Sequence, residues 1–296
     1  MTLATLTNEI QLPTEQTIPP YALVAGLCLL FAGIFVYRKM IRRIGIRGGL
    51  VRSDLFGLPD VLVTGTLVIL LLLLVVMQWV SPPAKPPDTS GAHGASGGVN
   101  GLHILYSALL FLLPVPAILV LLIARGVSLP LLFGLKRVGP LRAICIAAGL
   151  VLLLLPVIIL VTEITGRLLG GHAESQEMVK IFQKAAKTGK AEIVWQVIVN
   201  AVVIAPLTEE FLFRGYFYPV LKRFAGAVPA ALGISLLFGA LHVTAASLPV
   251  LTVLALALTL AYEWSGSILV PVCMHVWFNT TMLALMWWQV RHGATP

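Results

Sequence analysis

Long apolar runs recur along the chain and are separated by short polar or basic connections. Their apolar residues are continuous rather than alternating, which favours helices over β strands. Runs of about 18 or more apolar residues are typical of helices that span a membrane, where irregular backbone would lack hydrogen-bond partners. We therefore predict an all-α, polytopic transmembrane helical bundle of about eight spans. The predicted spans are 21–37, 59–80, 102–124, 141–161, 192–218, 228–243, 248–262 and 267–289.

The composition supports a membrane protein. Of the 296 residues, 58% are hydrophobic and 11% are charged, whereas soluble domains carry about 25% charged residues. These values exclude a soluble enzyme, a disordered protein and a fibrous repeat. The three cysteines, Cys28, Cys145 and Cys273, lie inside apolar runs and form no CxxC pair, so we expect no disulfide framework.

The basic residues set the expected orientation. The net charge is +8, but most Lys and Arg residues lie at the ends of apolar runs, where the positive-inside rule explains them without a nucleic-acid partner. The connections between spans one and two, three and four, and five and six are the most basic. We therefore expect these loops to be cytoplasmic and both termini to be external, in a multi-pass protein of the cytoplasmic membrane.

One basic segment opposes this orientation. The connection 174–190 should be external, yet it carries four lysines. Lys180, Lys184 and Lys187 share one helical face, and apolar residues line the opposite face: Met178, Ile181, Phe182 and Ala185. This amphipathic helix is expected either on the membrane surface or in solvent as part of a loop.

Ionisable residues inside the spans are few and lie in the last hundred residues. A charge at bilayer depth costs at least about 2.5–3.5 kcal/mol, so each one needs a partner or a function. Glu210 and Arg214 are four residues apart and can pair on one helical face, whereas Glu209 projects about 100° away. One carboxylate would then hold structure while the other accepts a proton from water; the alternative is a purely structural triad. Glu263 ends the seventh span and is expected at the membrane interface.

Two histidines follow in later spans. His275 and Asn279 are four residues apart, so both can point at one spot and donate hydrogen bonds to a developing oxyanion. Alternatively, His242 is a core residue, or Glu209, His242 and His275 form a zinc-binding set. At a rise of about 1.5 Å per residue, these three residues fall in one layer about 10 Å thick near the middle of the membrane.

Prolines precede two of these residues in the sequence. Pro206 lies before Glu209, and Pro271 lies before His275. An interior proline kinks a helix and frees a carbonyl group, which membrane helices tolerate where neighbours or water satisfy that group. The prolines therefore favour a hydrated cavity.

The motifs resemble those of the CAAX protease and bacteriocin-processing (CPBP, or Abi) family of intramembrane proteases. The segments EEFLFRG (209–215), FGALH (238–242) and HVWFN (275–279) match the family patterns EExxxR, FxxxH and HxxxN in order. The resemblance covers about residues 195–285. It implies that Glu209 activates water, that His242 positions this water, and that His275 and Asn279 stabilise the oxyanion. The implied supporting residues are Glu210, Arg214 and Phe238.

The resemblance also favours a reaction without a metal cofactor. The sequence lacks the HExxH zinc helix, although zinc bound by one carboxylate and two histidines stays an alternative. The partners would be membrane lipids and a peptide or protein substrate, lipidated or not, with no nucleic acid.

The predicted function is that of a CAAX-type intramembrane endopeptidase. Two alternatives stay open: a non-catalytic bacteriocin-immunity or binding protein on the same scaffold, and a proton-coupled transporter. We expect two regions, an N-terminal transmembrane region of residues 1–190 without an assigned role and a protease core of residues 191–290.

Overall fold

The computed structural model describes residues 19–80, 112–169, 177–242 and 244–292. Regular structure within these ranges is helical. The helices are α1 (Pro20–Arg47), α2 (Leu58–Val80), α3 (Pro114–Ala124), α4 (Leu129–Leu132), α5 (Pro140–Leu169), α6 (Glu177–Lys187), α7 (Ala191–Ala225), α8 (Ala227–Ala240), α9 (Ser247–Ser265) and α10 (Leu269–His292). The first part of the predicted third span and residues 174–176 of the basic segment lie outside the described residues.

Six of these helices are long and apolar enough to span a membrane, namely α1, α2, α5, α7, α9 and α10. Two shorter apolar helices, α3 and α8, accompany them. These helices confirm the predicted all-α, polytopic bundle. The protein is therefore an integral, multi-pass membrane protein.

Three loops meet at one end of the bundle, which we call the basic end: 48–57, 125–139 and 266–268. The backbone N–H of Leu50 donates to the carbonyl of Glu263 (2.9 Å), and that of Ile268 donates to the carbonyl of Phe133 (3.0 Å). Gly49 packs so closely on the Glu263 carboxylate that a Cβ at this position would overlap it. Loops 48–57 and 125–139 are two of the connections that the charge pattern assigns to the cytoplasm, and Lys222 of the third such connection donates from Nζ to the carbonyl of Val51 (2.9 Å), so all three share this end, as alternating spans require.

Helix α6 lies at the opposite end, which we call the α6 end. Its amphipathic pattern is present, because Lys180, Lys184 and Lys187 are exposed whereas Phe182 and Ala185 are buried. The buried face packs against α7 and α10 rather than on lipid or in solvent. The chain itself therefore supplies the partner of the apolar face, and the lysine face is left exposed.

Helices α8 and α9 pack closely at Gly239. A Cβ at this position would lie 2.5 Å from Oγ1 of Thr252 and 2.7 Å from the carbonyl oxygen of Leu248, both in α9. Any side chain there would push the two helices apart, which is costly in a packed interior. The glycine of the FGALH motif thus sets how closely α8 approaches α9. It thereby also sets the positions of Phe238, directly before it, and His242, three residues after it.

Candidate active site

Helix α7 carries the EEFLFRG motif and departs twice from regular α-helix. Residues Asn200–Ile204 and Phe211–Phe217 form π-helical turns on either side of the two glutamates. Pro206 lies between them. Insertions of this kind occur frequently at functional sites, because they change the direction in which neighbouring side chains project.

The first π-helical turn creates an acceptor that α10 satisfies. Ala205 donates its N–H to the carbonyl of Asn200, five residues back, and in that register the next donor would be Pro206, which has no N–H. The carbonyl of Ala201 instead accepts a hydrogen bond from Nδ2 of Asn279 (2.7 Å). Asn279 therefore ties α10 to the irregular turn of α7.

Pro271 does not have the predicted effect on α10. The helix begins at Leu269, so Pro271 lies in the first turn, where a missing N–H breaks no helical hydrogen bond. The prediction of a kink before His275 is therefore wrong, whereas Pro206 lies inside a continuous helix as predicted.

A buried group of charges links α7, α9 and α10. Nη1 of Arg214 donates to Oε1 of Glu210 (2.9 Å), as their spacing predicts, and Nη2 donates to the carbonyl of Ala255 (2.9 Å). Nδ1 of His275 donates to the same Glu210 oxygen (2.9 Å). Glu210 and Arg214 are fully buried, so removing one partner would leave the other as an uncompensated charge.

Glu209 differs from Glu210 in its partners and in its exposure. Its side chain is 16% exposed and has no hydrogen-bond partner among the described residues. Nε2 of His275 lies 3.8 Å from its Oε2, which is beyond hydrogen-bond distance. Of the two adjacent carboxylates, Glu210 thus accepts hydrogen bonds, whereas Glu209 has only the longer contact with His275; we call Glu209 unpaired in the sense that it accepts no hydrogen bond from the described residues. We call Glu209, Glu210, Arg214 and His275 the cavity cluster.

Phe238 connects His242 with the cavity cluster. The Phe238 ring centroid lies 5.0 Å from that of His242 and 5.9 Å from that of His275, and the guanidinium of Arg214 lies 4.9 Å above the Phe238 ring. His242 lies in the turn after α8, and its Nδ1 donates to the carbonyl of Phe238 (2.9 Å). This bond leaves Nε2 of a neutral His242 ring as a hydrogen-bond acceptor.

A cavity of about 570 Å³ brings the predicted catalytic side chains together. All four of them line it: Glu209, His242, His275 and Asn279. Phe238 also lines this cavity, whereas Glu210 and Arg214 do not. Of the three predicted supporting residues, Phe238 therefore forms part of the cavity wall, and the ion pair of Glu210 and Arg214 lies behind it.

The remaining lining residues show where the cavity leads. They include Thr162 near the end of α5, Met178 of α6, Ser247 at the start of α9 and Met286 near the end of α10. No residue of the basic-end loops lines the cavity. The cavity thus extends from the motif residues toward the α6 end and is closed toward the basic end.

The side chains do not form a zinc site in this arrangement. Zinc takes three or four His, Cys, Asp or Glu ligands at about 2.0–2.3 Å, and no group of three such side chains among the described residues is arranged to hold a metal. The set of Glu209, His242 and His275 therefore does not fit the metal as it stands.

The basic end contains a second buried carboxylate cluster, which the sequence pattern does not predict. Glu263 lies near the end of α9 and is 3% exposed. Its Oε1 accepts hydrogen bonds from the hydroxyl of Tyr218 and from Nζ of Lys222, both at 2.5 Å, and its Oε2 accepts one from the N–H of Val51 (3.3 Å). We call Tyr218, Lys222 and Glu263 the basic-end cluster.

Asp60 forms a third buried carboxylate site near the basic end. Its Oδ1 accepts from Nη1 of Arg125 (2.5 Å) and from the hydroxyl of Tyr216 (3.1 Å), and its Oδ2 accepts from the N–H of Gly57 (2.8 Å). The position of an acidic residue three places after Gly57 is a helix-capping signal. The pairing with Arg125, however, depends on the tertiary fold.

Part of the chain matches a known protein family. Residues 191–281 match the family model described as type II CAAX prenyl endopeptidase Rce1-like. No curated protein and no solved structure matches the chain. The matched range begins at the first residue of α7 and contains all three motifs and the whole cavity cluster. Residues 191–281 are therefore similar to type II CAAX prenyl endopeptidases of the Rce1-like kind, which confirms the resemblance that the motifs indicate.

Proposed function

We propose that the protein is an intramembrane endopeptidase of the CAAX prenyl protease type, in which Glu209 activates water to hydrolyse a peptide bond. The observation that carries the proposal is the contrast between adjacent glutamates. Glu210 is held by Arg214 and His275, whereas Glu209 is unpaired and lines a cavity. An unpaired carboxylate within reach of water has the chemistry of a general base.

The proposed reaction uses Glu209 twice. Its carboxylate takes a proton from a water molecule while the water oxygen attacks the carbonyl carbon of the substrate. The resulting tetrahedral intermediate collapses as the carbon–nitrogen bond breaks, and Glu209 gives the proton to the departing amine. The carboxylate is thereby regenerated, and one water molecule is consumed for each bond cut.

His275 and Asn279 are proposed to stabilise the negative oxygen of the intermediate. In this role His275 carries a proton on both ring nitrogens, so that Nδ1 donates to the Glu210 carboxylate and Nε2 donates to the oxyanion. Asn279 uses one amide N–H on Ala201 and has a second one available. Both donors are fixed by the fold before the reaction, which is the condition for effective stabilisation of an oxyanion.

His242 is proposed to position the attacking water. Its Nδ1 is engaged by the Phe238 carbonyl, so Nε2 can accept a hydrogen bond from a water in the cavity. His242 and Glu209 line the same cavity from different helices. A water that donates to both would have its oxygen lone pairs directed elsewhere, toward a substrate carbonyl.

The substrate is proposed to be a peptide or protein segment that reaches the cavity from the α6 end. Beyond the motif residues the walls are largely apolar and include Met178, Phe278, Met282 and Met286. Methionine side chains adapt to apolar groups of varied shape, which suits lipidated as well as unlipidated peptides.

We also propose that the reaction needs no metal. The arrangement of the donors supports this, because no three His, Cys, Asp or Glu side chains among the described residues are placed to hold a metal ion. Activity of the purified protein is then expected to survive incubation with a strong chelator. Activity that is lost on chelation and restored by zinc would contradict this part of the proposal.

The function is tested by cleavage of peptide panels in reconstituted vesicles. Quenched fluorescent peptides with and without a prenylated cysteine are incubated with the wild type, with Glu209→Gln and with Glu192→Gln. Glu192 is an exposed glutamate of the same helix and does not line the cavity, so it is the matched control.

We expect the wild type and Glu192→Gln to cleave the peptides. The cleavage rate of Glu209→Gln should be lower by roughly 10²–10⁴-fold. Equal cleavage by all three proteins would show that Glu209 is not the base. Binding of peptides without cleavage by the wild type would favour the non-catalytic alternative.

A further inference from the structure

A second, larger cavity lies beside the first at the α6 end. It has a volume of about 770 Å³ and is formed by α6, the first third of α7 and the second half of α10. Its walls are mainly apolar and include Val194, Trp195, Ile198, Leu283 and Trp287. Trp195 is 65% exposed, so this cavity opens on the outside of the bundle. We call it the outer groove.

Two cations stand at one end of the outer groove. Lys187, at the end of α6, and Arg291, at the end of α10, are among its lining residues. The guanidinium of Arg291 lies 4.7 Å above the Trp287 ring, which holds it near the groove. Glu192 follows the lining residue Ala191 but does not itself line the groove, and no lining residue is acidic.

The depth of the outer groove corresponds to one leaflet of a bilayer. On α7 its walls extend from Ala191 to Val202, and on α10 from Arg291 to Thr280. Both stretches are eleven steps of about 1.5 Å, or about 16 Å. Half of the hydrocarbon core of a bilayer measures about 15 Å. The groove is thus as deep as an acyl chain is long, with its cations at the level of the headgroup.

We propose that the outer groove binds an anionic phospholipid, with one acyl chain along Trp195, Ile198 and Leu283 and the phosphate headgroup between Lys187 and Arg291. A cationic mouth above an apolar channel of leaflet depth is complementary to this class of ligand. The proposal does not depend on the proteolytic function.

The proposal gives a reason for one of the lysines that oppose the positive-inside rule. Lys187 lines the groove and would attract an anionic headgroup there, whereas Lys180 and Lys184 do not line it. Leu283 lines both the outer groove and the catalytic cavity. A bound acyl chain would therefore contact a residue of the wall that separates the two.

The two tryptophans of the groove allow a direct test. The protein is reconstituted in phosphatidylcholine nanodiscs that contain increasing fractions of phosphatidylglycerol with brominated acyl chains, and tryptophan fluorescence is recorded. The comparison lipid is brominated phosphatidylcholine at the same fractions. A Trp195→Phe/Trp287→Phe variant measures the quenching that arises from the other tryptophans.

The charge dependence is tested with two matched double variants. Lys187→Gln/Arg291→Gln removes both groove cations, and Lys180→Gln/Lys184→Gln removes two exposed cations of α6 that do not line the groove. Melting temperatures of all variants are measured so that unfolded protein is not compared with folded protein.

We expect the brominated anionic lipid to quench more strongly than brominated phosphatidylcholine. The anionic-lipid fraction at half-saturation should rise roughly 10- to 30-fold in Lys187→Gln/Arg291→Gln and much less in Lys180→Gln/Lys184→Gln. Equal quenching by both lipids would overturn the proposal, as would an equal shift in both double variants. Quenching that is unchanged by Trp195→Phe/Trp287→Phe would show that no lipid chain occupies the groove, as when a second copy of the chain covers it.

Discussion

Two buried carboxylate clusters depend on α7 and use the same chemistry in different surroundings. In the cavity cluster, Glu210 accepts hydrogen bonds from Arg214 and His275. In the basic-end cluster, Glu263 accepts hydrogen bonds from Lys222 and Tyr218. In each cluster, a cation from α7 and a second side-chain donor share one carboxylate oxygen.

The clusters differ in what lies beside them. Glu263 uses its second oxygen on the backbone N–H of Val51, so that cluster holds a loop in place. Next to Glu210, by contrast, stands Glu209, which is unpaired and lines a cavity of about 570 Å³. A buried ion pair by itself is therefore a structural feature, and the unpaired carboxylate at a cavity is what indicates chemistry.

The largest expected change in stability follows from Glu210→Gln. Breaking a fully buried ion pair leaves Arg214 uncompensated, which costs about 3–5 kcal/mol. Adding Arg214→Met should recover part of this loss, because both charges are then absent. Unfolding in detergent, followed by circular dichroism, measures both effects; a Glu210→Gln variant as stable as the wild type would contradict the structural role of Glu210.

A smaller change is expected from Glu263→Gln in the basic-end cluster. The side chain of Lys222 is 15% exposed and can reach water, so we expect a loss of about 1–3 kcal/mol, the cost of an imperfectly satisfied buried group. Turnover per folded molecule should stay at the wild-type level, because this cluster lies outside the cavity. A fall in turnover comparable to that of Glu209→Gln would show that the two clusters are not separate in function.

The sequence predicts the cavity cluster better than the basic-end cluster for a physical reason. The spacing of Glu210 and Arg214 along one helix is local, and a charge inside an apolar run is conspicuous. The partners of Glu263, in contrast, lie 41 and 45 residues away and in a loop near residue 50, so only the folded chain reveals them.

The role of Asn279 shows the same limit at the site itself. Its position four residues after His275 predicts that both side chains share a face, and both line the cavity. Its bond to the Ala201 carbonyl depends on the π-helical turn before Pro206. No periodicity in the sequence gives the register of that turn.

A smaller change in stability than in either buried carboxylate variant is expected from Asn279→Ala. Loss of one neutral hydrogen bond costs about 0.5–1.5 kcal/mol, whereas loss of an oxyanion donor lowers turnover by about 10²–10³-fold. The exposed neighbour Thr280, changed to Ala, is the control. A loss of stability in Asn279→Ala with unchanged turnover would restrict Asn279 to holding the irregular turn of α7.

The contrast between Glu209 and Glu210 is tested most directly by measuring turnover and melting temperature for Glu209→Gln and Glu210→Gln side by side. We expect Glu209→Gln to lose turnover yet to melt close to the wild-type temperature, whereas Glu210→Gln should melt well below it. Turnover in Glu210→Gln is also expected to fall, because Glu210 holds His275, so the melting temperature discriminates between the two residues. If Glu209→Gln is the less stable variant, or retains near-normal turnover, the roles of the two glutamates are reversed.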